Sequence, residues 1–202
     1  MLAIPPSSSH LVTRCRTQFV VDLWPMNSHA GKLIEKAIKA DDWIGARRLI
    51  KAELKSAPKD HWLLSRLALT FYEQRQYKRA LYWDARALHV SPYCPMAIWG
   101  LAGALDMLGR HSQALSLYRY LLSWGEEQLA HGECGEGILK ARSALADCRY
   151  RIACIWQEKR QWKRAAAEYE KHLAARKKGH GSIYPIRVVK ARYKEVLGKA
   201  SR

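Results

Sequence analysis

The side chains in this sequence with types suited to chemistry are its thiols and imidazoles. His131 and Cys134 share the stretch HGECGEG at 131–137, while Cys148 and Cys154 lie six residues apart in a segment of helical spacing. Two ligand types in one glycine loop, without a second pair, make a poor metal site, so no metal is expected. Residues six apart on a helix do not share a face, and Cys148 and Cys154 read as core thiols. The five cysteines, at 15, 94, 134, 148 and 154, form no CxxC pair and no disulfide-framework spacing. That usage points to reduced thiols in an intracellular, cytoplasmic protein. No Ser/His/Asp arrangement, phosphate-cradling glycine loop or paired-carboxylate motif is present. The expectation is therefore a non-enzymatic protein with no catalytic residue and no cofactor. Binding is the chemistry left to it, and binding depends on how the chain's elements present surfaces.

Those elements repeat. RQYKRA at 75–80 returns as RQWKRA at 160–165, and DDWIGA and GRHSQA supply two more versions of the phrase. A shift of 34 residues places Ala46 on Ala80 and Ala80 on Ala114; the step on to Ala165 is 51, one period plus an insertion of 17. Within the second copy, Leu64, Leu67 and Phe71 fall at helical spacing, and after a polar turn Tyr77, Ala80, Leu81, Asp84 and Leu88 do the same until Pro92 stops the helix. The unit is a helical hairpin. Ala68, Ala80 and Ala87 let its helices cross closely, and a hairpin with one apolar face is buried only by stacking on its neighbours.

The pattern Leu64, Leu67, Ala68, Phe71, Tyr77, Ala80, Ala87, Pro92 resembles the tetratricopeptide repeat. So do Ile98, Leu101, Ala102, Leu105, Gly109, Ala114, Tyr118 in the third copy and Ile152, Ala153, Trp156, Trp162, Ala165, Tyr169 in the fourth. The first copy is weaker, with Leu33, Ala37, Trp43, Ala46, Ile50 and Pro58. The resemblance implies an all-α, right-handed α-solenoid of about four hairpins: 27–60, 61–94, 95–145 with the insertion, and 146–179. Two departures stand out. Asp84 occupies a second-helix position that usually holds a ring, with Trp83 beside it. Glu53 and His172 replace a small residue in the outer copies, so those hairpins should pack more loosely.

The same resemblance implies a role as an adaptor or scaffold, with a protein or peptide partner in a concave groove lined by the first helix of each hairpin. Helical phase then assigns Trp62, Leu69 and Tyr72 from the second copy, Met96, Trp99 and Met107 from the third, and Tyr150 and Cys154 from the fourth. An aromatic, methionine-containing surface of this kind suits an apolar partner segment. The alternative is that half of these rings are buried against a capping helix or the N-terminal segment. The carboxylate clamp of some family members has no counterpart, because its places carry Gly31, Glu35, Ser65 and Trp99.

Charge supplies a second possible function. The formal net charge is +17. Arg47, Arg48, Lys78, Arg79, Arg86, Lys163 and Arg164 fall mainly on second helices, and Lys177, Lys178, Lys190 and Arg192 extend the stripe into the tail. A basic convex face could follow a nucleic-acid backbone or simply solvate the protein.

The remaining segments frame the repeats. Residues 1–26 read as a flexible or loosely docked segment. Arginines 14 and 16 with no acid before Asp22 allow an organelle-targeting reading, and a start at Met26 is an alternative. The insertion should lengthen two facing helices by about two turns each, closed by the glycine loop into a projecting acidic tip bearing Glu126, Glu127, Glu133 and Glu136. Residues 183–202 should form a basic capping helix beginning at Pro185. The longest apolar run, MAIWGLAGAL at 96–105, is too short to span a bilayer. Oligomeric state does not follow from the sequence.

Overall fold

The computed structural model describes residues 28–201; the N-terminal segment 1–26, with Cys15 and Met26, lies outside the described residues. Those described form nine helices and no strand: α1 (His29–Lys39), α2 (Trp43–Ser56), α3 (His61–Glu73), α4 (Tyr77–Val90), α5 (Pro95–Met107), α6 (His111–His131), α7 (Ile138–Glu158), α8 (Trp162–Lys177) and α9 (Ile186–Ala200). They pair as hairpins α1/α2, α3/α4, α5/α6 and α7/α8. Each hairpin packs on the next, and α9 closes the end against α8. The fold is an all-α solenoid of four hairpins and a capping helix.

The period of the sequence is a period of backbone geometry. Each hairpin turn has one residue in the left-handed region: Asp41 (φ 55°), Arg75 (φ 57°), Gly109 (φ 73°) and Arg160 (φ 56°). The residue after it donates its N–H back across the helix end: Asp42 to the Ala37 carbonyl, Gln76 to Phe71, Arg110 to Leu105 and Gln161 to Trp156, each at 2.9 Å. This is the Schellman helix stop, which satisfies a carbonyl the helix leaves orphaned and reverses the chain. Asp42 and Asp60 then start α2 and α3, their carboxylates accepting from the Gly45 and Leu63 N–H groups.

Close crossing rests on the alanines. Ala46, Ala80, Ala114 and Ala165 are all fully buried, and one turn further along the same helices Ile50, Asp84, Tyr118 and Tyr169 are buried beneath them. His172 is fully buried too, and its Nδ1 lies 2.8 Å from the Ala146 carbonyl. The looser packing expected at this residue is therefore not found, because the imidazole fills the space and has a hydrogen-bond partner. Pro185 stands at the N-cap of α9, which buries Val189 and Val196.

α6 and α7 are each 21 residues long, against 13 and 14 for α3 and α4. The extra turns do not make a simple projection. Gly125, at φ 71° and ψ −176°, breaks the α6 backbone, a conformation only glycine adopts at low cost. Beyond this break Leu129 and Ala130 are buried, and the glycine loop brings Cys134 back onto the second hairpin with 7 % of its surface exposed. Glu126 pairs with Arg142 on α7 at 2.7 Å, so the acidic tip is partly neutralised within the insertion itself.

Candidate partner-binding groove and thiol cluster

The inner helices α3, α5 and α7 line a cavity of about 250 Å³ whose walls include Leu69, Tyr72, Met96, Trp99, Tyr118 and Asp84. Leu69, Tyr72, Met96 and Trp99 are half-buried, as residues facing such a space should be. The other residues assigned by helical phase lie elsewhere. Trp62 is 3 % exposed and packs with Ile34, Leu63 and Leu67 in the core. Tyr150 is buried under Tyr184, their rings stacked 3.9 Å apart. Met107 is 45 % exposed.

A segment outside the repeats also borders the space. Between α8 and α9 the chain crosses to the inner face, where the Ser182 hydroxyl and the Ile183 N–H both donate to the Asp147 carboxylate. Ile183 and Tyr184 thereby become part of the cavity wall. Burial raises the Asp147 carboxyl above the usual carboxylate range, against the two hydrogen bonds.

Charge in this region is mostly paired. Arg151 reaches from α7 to Asp106 at 2.5 Å and donates to the Tyr118 hydroxyl at 3.3 Å. His111 lies 3.2 Å from the same Asp106. Arg66 pairs with Glu35 at 2.6 Å and lies over the Trp62 ring. Asp84 is the exception. Its carboxyl is 3 % exposed, has no hydrogen-bond or ion-pair partner among the described residues, and borders the cavity. It lies so close to α5 that a Cβ on Gly100 would fall 2.5 Å from its Oδ2. Burial alone pushes its pKa well above the ordinary carboxylate value.

A second constellation lies at the returning loop. His61 Nε2 is 3.3 Å from Cys134 Sγ, Ser91 Oγ is 3.4 Å from the same sulfur, and one atom each of His61, Cys94 and Cys134 lie within 4.8 Å of one another. His61 begins α3, Cys94 caps α5, and Cys134 comes from the insertion. The Cys94 thiol and the His61 ring, both hydrogen-bonded to Cys134, hold its pKa below the usual thiol value; that of Cys94 is raised by the same contact. The hydrogen bond to Cys134 in turn raises the pKa of His61. Sequence spacing put Cys134 beside His131, but the imidazole it meets is 73 residues away.

The basic residues divide by what they touch. Arg47 packs inward, donating to the Gln74 side chain at 2.5 Å and lying over Phe71. Arg79 also lies over Phe71, Arg86 over Trp83, and Arg164 over Trp156. Arg48, Lys78, Lys163, Lys177, Lys178, Lys190 and Arg192 are exposed. No described helix is long and apolar enough to cross a membrane.

No protein-family model matches the chain, and no curated protein matches its sequence. Solved structures do match its fold. A crystal structure of MamA protein aligns with a TM-score of 0.53 at 18 % identity, covering 85 % of this chain and 86 % of that one. Residues 41 to the end of MamA from Desulfovibrio magneticus RS-1 align with a TM-score of 0.56 at 13 % identity, covering 85 % and 93 %. A thermophilic tetratricopeptide-repeat protein of Thermus thermophilus aligns at 0.46 and 20 % identity, over 83 % and 97 %. The likeness is one of fold, an all-α solenoid of helical hairpins.

Proposed function

We propose that this chain is a non-enzymatic tetratricopeptide-repeat scaffold whose concave face takes a partner polypeptide, with one basic side chain of the partner entering the cavity at Asp84. The observation that carries this reading is the unpaired Asp84 carboxyl on a wall that also presents Leu69, Tyr72, Met96 and Trp99, and on which the two arginines, Arg66 and Arg151, are already paired with Glu35 and Asp106. A lysine or arginine laid along that wall buries its aliphatic stem on apolar surface and brings its charge to the carboxylate. Ring faces at Trp99 and Tyr72 favour the same cation. An incoming cation would also lower the raised Asp84 pKa, so binding and ionisation assist each other.

Selection of a displayed random-peptide library on the immobilised full chain tests this. The expected outcome is enrichment of peptides with a lysine or arginine between apolar residues, lost on Asp84→Asn and on Trp99→Ala. Enrichment indifferent to both substitutions would remove the cavity as the site.

Association with nucleic acid is the second reading, favoured by the exposed Lys177, Lys178 and Lys190 near the C-terminal end of a chain of net charge +17. It expects affinity for a duplex to fall steeply with salt and to ignore Asp84→Asn.

A further inference from the structure

We propose that His61, Cys94 and Cys134 bind a single zinc-like divalent cation that ties the insertion loop to the second and third hairpins. Zinc bonds of about 2.3 Å to sulfur and about 2.0 Å to nitrogen, in tetrahedral array, hold ligand atoms roughly 3.5 to 3.8 Å apart. His61 Nε2 and Cys134 Sγ are already 3.3 Å apart, and the three ligand atoms fall within 4.8 Å of one another. Adjustments of about an ångström therefore complete three sides of a tetrahedron. Thiolate and imidazole are the donors that borderline cations prefer, whereas magnesium and calcium want oxygen.

The supports of the ligands also suit a site. His61 is the first residue of α3 and Cys94 the N-cap of α5, elements held by the core. Cys94 is 1 % and Cys134 7 % exposed, while His61 is half-buried, leaving one approach for the ion and a fourth position for water. The other ligand-type cluster, Asp106 with His111 and Glu158, is a weaker candidate because Asp106 is already held by Arg151. Balance of charge is simple. Two protons leave the three groups for solvent, and the ion with two thiolates and a neutral imidazole is neutral overall, as a buried site requires. Cys134 also borders a cavity of about 490 Å³ beneath the loop, so an ion here fixes one wall of that space.

The test uses the reduced full chain, stripped of metal by a chelator and titrated with Zn2+ against a chromophoric competitor, then with Co2+ for its absorption spectrum. One equivalent should bind, releasing about two protons, raise the melting temperature, and give a thiolate-to-cobalt charge-transfer band. Cys134→Ser and His61→Gln should each weaken uptake more than about 100-fold, a larger loss than that from an outer-shell partner. Their metal-free melting temperatures should stay close to that of the parent. His131→Ala and Cys154→Ser should bind as the parent does. Uptake that survives Cys134→Ser, or is lost on His131→Ala, overturns the proposal. So does failure of the reduced chain to take up Zn2+.

Discussion

The second and third hairpins share one turn geometry and one set of buried alanines, and they put opposite kinds of side chain at one buried position. Thirty-four residues apart, Asp84 on α4 and Tyr118 on α6 occupy the same place in the period, and Ile50 and Tyr169 fill it in the first and fourth hairpins. Tyr118 is fully buried, its ring edge-on to Trp99 at 5.3 Å and its hydroxyl held by Arg151. Asp84 is as deeply placed but has no partner, and the helix opposite it carries Gly100 rather than a side chain that would fill the space. Both residues border the same cavity. The third hairpin thus uses the position for cohesion, whereas the second gives cohesion up and leaves a carboxyl facing a void.

Removing the cohesive member should have the largest effect. Tyr118→Ala takes a ring out of the core and leaves Arg151 without one of its acceptors, at a cost of about 3–5 kcal/mol. Urea denaturation followed by circular dichroism measures it. A loss below about 1 kcal/mol would mean that the two hairpins do not differ in the way described.

Asp84→Leu should have the opposite sign. Replacing an unsatisfied buried polar group by an apolar one of similar size should stabilise the chain at neutral pH by about 1–3 kcal/mol. The raised pKa fixes the pH dependence. In acid, below the ordinary carboxylate pKa, the group is protonated folded or unfolded and costs nothing through ionisation. As pH rises from there through the folded-state value, the native protein retains a proton that the unfolded chain has released, and stability falls. The advantage of Asp84→Leu should therefore grow with pH and shrink on acidification. A gap that widens in acid would show that the carboxyl is ionised and paired in the native state. If the leucine variant also loses the selected peptides, the hairpin has given up stability for binding.

How much of this was legible beforehand follows from what a repeat can encode. Contacts within a hairpin and between neighbours are written once per period, so four copies of one phrase sufficed for the hairpins, the buried alanines and the singular Asp84. The fold-back of the insertion has no second copy to compare with. Nothing in the sequence marks Gly125 as the break in α6, and Cys134 gives no sign that its partners are His61 and Ser91 rather than its neighbour His131. Trp62 and Tyr150 show a different limit. Helical phase gives the direction in which a residue points, but not whether another segment covers it, and Tyr184 covers Tyr150 from outside the repeats.

The comparison can be sharpened at the turns, where the same two hairpins again solve one problem differently. The reversal after α5 uses Gly109 in the left-handed region, whereas the equivalent place after α3 holds Arg75 with a side chain. Gly109→Ala adds a Cβ where the left-handed backbone disfavours one, so a destabilisation of about 1 kcal/mol is expected even though open space surrounds the position.

Arg75→Gly is the smallest effect expected. Glycine relieves the left-handed strain but widens the unfolded ensemble, and the two terms nearly cancel to leave a net stabilisation of a few tenths of a kcal/mol, below about 1. The arginine is exposed, and no hydrogen bond or ion pair links its side chain to another described residue, so nothing else should offset the change. Thermal melts of the two turn variants, read side by side, should move in opposite directions. If both fall, Arg75 is held by something other than its backbone, and the four reversals are not equivalent.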